Sequence, residues 1–110
     1  SKLCVAIASD MLNNFPGMSD KSALNTRKIV LDSAMTADMA KSLGRQAAEQ
    51  SGVKFPAQLP VRIFVLGQGT GPNPIPLDKN SILTAYWNGF WEAAGISSSN
   101  QIRSLDQACL

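Results

Sequence analysis

The segment at residues 66–76, written LGQGTGPNPIP, contains three glycines followed by three prolines, directly after the most strand-like run of the chain. In a dinucleotide-binding loop, the glycines lead at once into a helix whose amide groups face the pyrophosphate. Here Pro72, Pro74 and Pro76 favour extended backbone and delay the next helix, and no Gly-Lys-Ser or Gly-Lys-Thr occurs. Two interpretations remain: a stiff crossover, or an exposed loop that enters a partner's groove. In the second interpretation, the candidate contact residues are Gln68, Thr70 and Asn73.

A second candidate for a functional segment is the aromatic stretch at residues 85–91, AYWNGFW, which holds four of the seven aromatic residues of the chain. Helical spacing gives this segment a wide apolar arc. It can form a central core helix, in which Gly89 admits another backbone and each indole N–H finds an acceptor. Alternatively, part of the arc is exposed and anchors a partner, because tryptophan and tyrosine are enriched in binding hot spots. The candidates for such an anchor are Tyr86, Trp87 and Trp91.

Catalytic and metal-binding patterns are missing from the sequence. Histidine is absent, so neither a Ser-His-Asp nor a Cys-His arrangement can be built. Two cysteines are too few for a structural zinc site. Asp32 and Asp38 are close in sequence, but Asp38 suits the first turn of a helix, where its charge complements the helix dipole. We therefore predict no catalytic residue, no cofactor and no metal ion.

The two cysteines, Cys4 and Cys109, lie near opposite ends of the chain. The termini of compact domains are often close in space, so a disulfide between these residues is geometrically reasonable. Such a bridge would close a large loop and stabilise the domain by about 4–5 kcal/mol. Oxidising compartments favour disulfides, so the pairing predicts a periplasmic or secreted protein. The alternative is two buried thiols in a cytoplasmic protein.

Composition and charge limit the number of domains and the kinds of partner that the chain can have. The 110 residues are 45% hydrophobic and 16% charged, which is typical of one globular domain spanning residues 1–110. Ten basic and eight acidic residues are scattered along the chain, so no basic stripe predicts nucleic-acid binding. No apolar run approaches the roughly 20 residues that a transmembrane helix needs. We therefore expect no nucleic-acid partner and no transmembrane segment.

The N-terminal half of the chain is the harder half to interpret. Apolar residues from Cys4 to Phe15 recur at helical spacing and predict a first helix. The β-branched cluster at residues 27–31 suggests a short strand. Ser33 or Thr36 can then cap a helix that ends at Gly52.

The C-terminal half carries clearer signals. The run at residues 61–66, VRIFVL, predicts a strand, and Asp78 is expected to cap an aromatic helix over residues 79–95. One or two final turns of amphipathic helix are expected to begin at Ile102. Pairing of the strands at 27–31 and 61–66 would make a strand-helix-strand unit. We therefore predict a helix-rich α+β domain with a minimal two- to three-stranded sheet, with an all-α bundle as the alternative.

These observations favour a non-enzymatic protein-binding module of the cell envelope or extracellular space. Inhibitors, immunity proteins and accessory subunits of secretion machinery have this format. The alternative is a domain that binds a small molecule or an envelope polymer in a pocket between the aromatic helix and the Gly-Pro loop. An enzyme of unrecognised type is the third hypothesis.

Overall fold

The computed structural model describes residues 3–9, 11–12, 22–56, 61–66, 68–70, 74–97 and 101–102. The elements follow in the order β1 (Leu3–Ala8), α1 (Thr26–Leu31), α2 (Ala37–Ser51), β2 (Val61–Leu66), a 3₁₀ turn (Leu77–Lys79), α3 (Asn80–Ala93) and β3 (Gln101–Ile102). The domain is thus small and helix-rich with a minimal sheet, which confirms the α+β prediction against the all-α alternative.

The sheet is parallel and has the strand order β1-β2-β3. Six residues of β1 pair with six of β2, from Leu3 opposite Val61 to Ala8 opposite Leu66. Parallel neighbours require long crossover connections. Helices α1 and α2 lie in the connection from β1 to β2, and α3 lies in the connection from β2 to β3. The carboxyl ends of β1 and β2 therefore meet at one edge of the sheet.

The predicted first helix is wrong, because Leu3–Ala8 forms β1. A short apolar run fits both the helical and the extended period, and pairing with β2 along its whole length satisfies the backbone groups of the strand. Past the strand, Met11 has a φ of 62°, a left-handed conformation that ends any regular element. The rest of the predicted helix falls partly on residues outside the described ranges.

The predicted strand at residues 27–31 is also wrong, since Thr26–Leu31 forms helix α1. Asn25 caps it, with its Oδ1 accepting a hydrogen bond from the amide of Lys28 at 3.2 Å. The helix buries Ile29 and Val30 on one side, which outweighs the weak preference of β-branched residues for strands. Because β1 takes the place beside β2, the strand-helix-strand unit over residues 27–66 does not exist.

Helices α2 and α3 agree with the prediction except at the start of α3. Thr36 caps α2, its Oγ1 accepting from the amide of Met39 at 3.2 Å, and Gly52 ends the helix in the left-handed conformation. Asp78 does not cap α3, because it lies inside the preceding 3₁₀ turn. Ile102 belongs to β3, so the predicted helical turn does not begin there, and its remainder lies outside the described residues.

The core is built mainly by α2 packing on α3, and one buried cluster joins these helices to Val61 and Ile63 of β2. The side of α2 that faces α3 carries small buried residues: Ala40, Gly44, Ala47 and Ala48. At the rim of this contact, Glu92 of α3 forms ion pairs with Lys41 at 3.3 Å and with Arg45 at 2.8 Å. In the described part of the chain, no helix has the length and apolar character needed to cross a membrane.

Candidate functional site

The loop that follows β2 is tied to the start of α3 by Gln68. The Gln68 Nε2 atom donates to Asn80 Oδ1 at 3.1 Å and to Thr84 Oγ1 at 2.8 Å. Gly69, with a φ of 76°, allows its carbonyl to accept from the amide of Ile75 at 3.2 Å, which closes the loop on itself. Gln68 therefore acts as a structural link between loop and helix. Thr70 is exposed, and Asn73 lies outside the described residues.

The aromatic residues of α3 lie mostly in the core. Tyr86 is 0% exposed, and Trp87 and Trp91 are each 8% exposed. The Tyr86 hydroxyl donates to the Ala23 carbonyl at 2.6 Å, and Trp87 Nε1 donates to the Met11 carbonyl at 2.9 Å. Burial raises the pKa of the Tyr86 phenol well above its usual value. Tyr86 is thus a core residue and offers no contact surface to a partner.

Trp87 and Trp91 form a stacked pair one helical turn apart. Their ring centroids are 5.5 Å apart with an interplanar angle of 29°. Phe90 packs edge-on against Trp91, with centroids 5.0 Å apart. These contacts hold both indole rings in fixed orientations at one wall of a cleft.

This cleft, called here the amide cleft, lies between β2, α3 and the start of β3. It has a volume of about 260 Å³. Its lining consists of apolar and uncharged polar residues: Ile63, Val65, Gln68, Asn80, Thr84, Trp87, Asn88, Trp91 and Gln101. Of the six residues predicted from sequence to bind a partner, the cleft brings together Gln68, Trp87 and Trp91.

Four polar residues of the cleft were missed at the level of sequence. Asn80, Thr84 and Asn88 follow one another at a spacing of four and therefore share one side of α3. That polar stripe, running beside two tryptophans, was a readable signal. Gln101 had no comparable signal, because only its place at the start of β3 brings it to the cleft.

Gln101 has an unusual environment at the end of the cleft. Its Nε2 atom donates to the Ile96 carbonyl at 3.1 Å and to the Asn88 carbonyl at 3.4 Å. Its Oε1 atom is buried and has no hydrogen-bond partner in the described part of the chain. Both neighbours of the amide nitrogen are carbonyl acceptors, so the amide cannot be reversed without losing both bonds.

A second concave surface, called here the methionine groove, lies between α1 and α2. It has a volume of about 590 Å³ and is lined by Ser22, Lys28, Ile29, Leu31, Asp32, Met35 and Leu43. Leu31 is 45% exposed, and Met39, on the first turn of α2, is 49% exposed. None of these residues was singled out by the sequence as a binding residue.

Two of the described acidic residues, Asp32 and Asp38, have positions that support local structure. Asp32 Oδ1 accepts from the amide of Ala34 at 2.9 Å and shapes the turn between α1 and α2. Asp38 lies in the first turn of α2, as predicted. No group of three or more histidine, cysteine or acidic side chains that could hold a metal ion occurs among the described residues. Cys4 lies in β1, whereas Cys109 is outside those residues, so their pairing stays a prediction.

The chain was compared with protein-family models, with characterised proteins and with solved structures, and none of the three comparisons produced a match. Its function is therefore inferred from the chemistry of the amide cleft and the methionine groove.

Proposed function

We propose that this chain is a non-enzymatic protein-binding domain of the cell envelope or extracellular space, in the format of an inhibitor, an immunity protein or an accessory subunit. The observation that supports the proposal is the methionine groove. It is the larger of the two concave surfaces described above, and four of its seven lining residues are apolar: Ile29, Leu31, Met35 and Leu43.

The groove suits the apolar face of an amphipathic helix from the partner. Leu31, Met35 and Leu43 line one continuous surface, and methionine side chains adapt their shape to different partner residues. Helix-in-groove recognition uses apolar anchors spaced by three or four residues, which enter such a surface together. Lys28 and Asp32 lie at the same groove and offer one charge of each sign for fixing the direction of the helix.

The exposure of Leu31 supports this role because this residue lines the groove together with Met35 and Leu43. Single exposed apolar residues are common on protein surfaces and carry no functional meaning. A cluster of them around a concave surface is typical of an interaction site. The proposed compartment depends on a separate expectation, namely the disulfide between Cys4 and Cys109.

The test places a photo-crosslinking amino acid at position 31 in cells that express the chain, with position 46 as the control. Gln46 is an exposed polar residue of α2 that does not line the groove. We expect position 31, and not position 46, to crosslink one defined protein. With that protein purified, Leu31→Asp should weaken binding by about tenfold or more, whereas Gln46→Asp should leave the Kd unchanged.

Three results would contradict the proposal. The first is crosslinking at position 31 only to further copies of the same chain. The second is equal crosslinking from both positions. The third is unchanged affinity of the Leu31→Asp variant for the crosslinked protein, which would place the interface elsewhere on the domain.

A further inference from the structure

We infer that the amide cleft binds one small uncharged polyol of the size of a single sugar ring. This site is separate from the methionine groove, so the inference goes beyond the proposed protein-binding function. It is supported by the uncharged lining of the cleft, by the paired indoles of one wall and by the unpartnered oxygen of Gln101.

The absence of charged side chains from the lining favours a neutral ligand. The nine described residues that line the cleft include no acidic or basic side chain. An anion or a cation entering it would lose hydration without gaining a counter-charge, which is strongly unfavourable. A neutral ligand loses much less hydration on entering. The cleft should therefore discriminate between a neutral sugar and a charged sugar of nearly the same shape.

The polar groups of the lining match hydroxyl groups in particular. Side-chain amides and hydroxyls can both donate and accept hydrogen bonds, and each hydroxyl of a polyol does the same. Asn80, Thr84 and Asn88 form a row of such groups along α3. Gln68 bonds two of them, which holds their side chains in place before a ligand arrives and reduces the ordering needed on binding.

The indole rings provide the other half of the recognition. A sugar ring carries hydroxyls around its edge and C–H groups on its faces. Trp87 and Trp91, together with Ile63 and Val65, offer an apolar wall for those C–H groups. Pockets for small molecules commonly combine such a wall with a few placed polar groups.

Gln101 carries the most specific part of the inference. A buried acceptor without a partner is destabilising, and it is satisfied when a ligand supplies a donor. The two carbonyl acceptors at Nε2 fix the orientation of the amide, so Oε1 remains the free acceptor. This oxygen has almost no accessible area, so a ligand hydroxyl reaches it only after the groups around it shift slightly. The hydrogen bond that then forms is one that the domain itself leaves unmade.

The volume limits the size of the ligand. Pockets for drug-sized molecules have volumes of roughly 300–1,000 Å³. The amide cleft, at about 260 Å³, falls just below this range. It can thus hold one ring, but an oligosaccharide would have to extend beyond it.

The experiment uses intrinsic fluorescence, because Trp87 and Trp91 are the only tryptophans of the chain. The probes are neutral glucose with two charged counterparts of nearly its shape, glucuronate and glucosamine, together with neutral myo-inositol. We expect a saturable change of emission with at least one of the neutral probes. The charged counterparts should bind at least about tenfold more weakly. Amide chemical shifts should change along α3 and at residue 101.

Variants then test the individual residues. Gln101→Leu removes the free oxygen and should weaken binding of the responding sugar by about tenfold or more. Thr84→Val, which keeps the shape of the side chain, is the second variant should Gln101→Leu not fold. Gln46→Ala, at an exposed amide of α2 outside the cleft, is the control and should bind the sugar as the unaltered chain does.

The inference is overturned by any of three results. One is the absence of a saturable response to every neutral probe. Another is equal affinity for a neutral sugar and its charged counterpart. The last is unchanged sugar affinity in a folded Gln101→Leu chain, or in Thr84→Val where that variant replaces it. None of these results bears on the methionine groove, whose crosslinking test stands separately.

Discussion

Gly44 of α2 and Gly89 of α3 let the two helices approach each other backbone to backbone. A Cβ atom on Gly44 would lie 1.8 Å from the carbonyl oxygen of Tyr86, and a Cβ atom on Gly89 would lie 2.1 Å from that of Lys41. Neither contact is possible for a real side chain, and in both cases the obstacle is backbone of the facing helix. The packing of α2 on α3 therefore depends on glycine at both positions.

Gly44→Ala should lower the free energy of unfolding by about 1–3 kcal/mol or more, because the helices must move apart. Helix propensity alone would give the opposite sign, a gain of about 1 kcal/mol for replacing glycine by alanine inside a helix. Urea unfolding, monitored by circular dichroism, shows whether the Gly44→Ala chain is less stable or more stable than the original. Ser42→Ala, at an exposed position of α2, is the control and should change stability by no more than about 0.5 kcal/mol. A Gly44→Ala chain that is as stable as the original would contradict the close approach.

The chain should lose stability at alkaline pH through Tyr86. Burial raises the pKa of this phenol, so the folded chain keeps a proton that the unfolded chain releases near its ordinary pKa of about 10. The unfolded state then binds fewer protons, and the free energy of unfolding should fall as pH rises above about 10. Tyr86 is the chain's single tyrosine, so tyrosinate absorbance reports it alone.

In such a titration, tyrosinate should appear together with the loss of helical circular dichroism and not before it. Tyr86→Phe is the control: its stability should fall less steeply over the same pH range. Tyrosinate that forms while the helical signal is unchanged would show that the phenol is accessible in the folded chain.

Cys4 and Cys109 are predicted to form a disulfide. Protein purified without reductant should have no alkylatable thiol under denaturing conditions, and mass spectrometry of its non-reduced peptides should recover the two cysteines joined. Reduction should then lower the free energy of unfolding by up to about 4–5 kcal/mol, because the unfolded chain gains freedom. Two alkylated cysteines in the unreduced protein would remove both the bridge and the reason for proposing an oxidising compartment.

Folding should need no metal ion. The described residues contain no cluster of three or more potential ligands, and the sequence has no histidine. Dialysis against a chelator should therefore leave the melting temperature unchanged, as should adding Ca²⁺ or Zn²⁺ back. A fall of many degrees that is reversed by one of these ions would indicate a site built by other residues.

The elements that sequence reasoning predicted well are those with strong local signals. The strand at 61–66 follows from a run of β-branched and aromatic residues, and it is β2. Thr36 and Gly52 mark the ends of α2 through capping preferences that act within a few residues. The role of Gly89 in admitting a second backbone was also predicted, but its counterpart Gly44 was not.

The two elements whose type was predicted wrongly are short, and their sequences fit a strand as well as a helix. Leu3–Ala8 and Thr26–Leu31 are six residues each, too short for periodicity to distinguish strand from helix. Their states depend on distant partners: β1 is a strand because it lies in register with β2. Helix α1 is stabilised by the burial of Ile29 and Val30 and by the Asn25 cap.

The sequence by itself determined the positions of α2, β2 and α3 and the presence of an aromatic helix, because each depends on neighbouring residues. The α+β class was also predicted correctly, but the strand that pairs with β2 is β1 and not the segment at 27–31. Only the tertiary structure decided that Tyr86 is buried in the core while Trp87 and Trp91 line a cleft. The same holds for Gln101, which reaches that cleft because β3 pairs beside β2, nearly forty residues away in sequence. Contacts between residues so far apart depend on how the whole chain packs, and no local pattern encodes them.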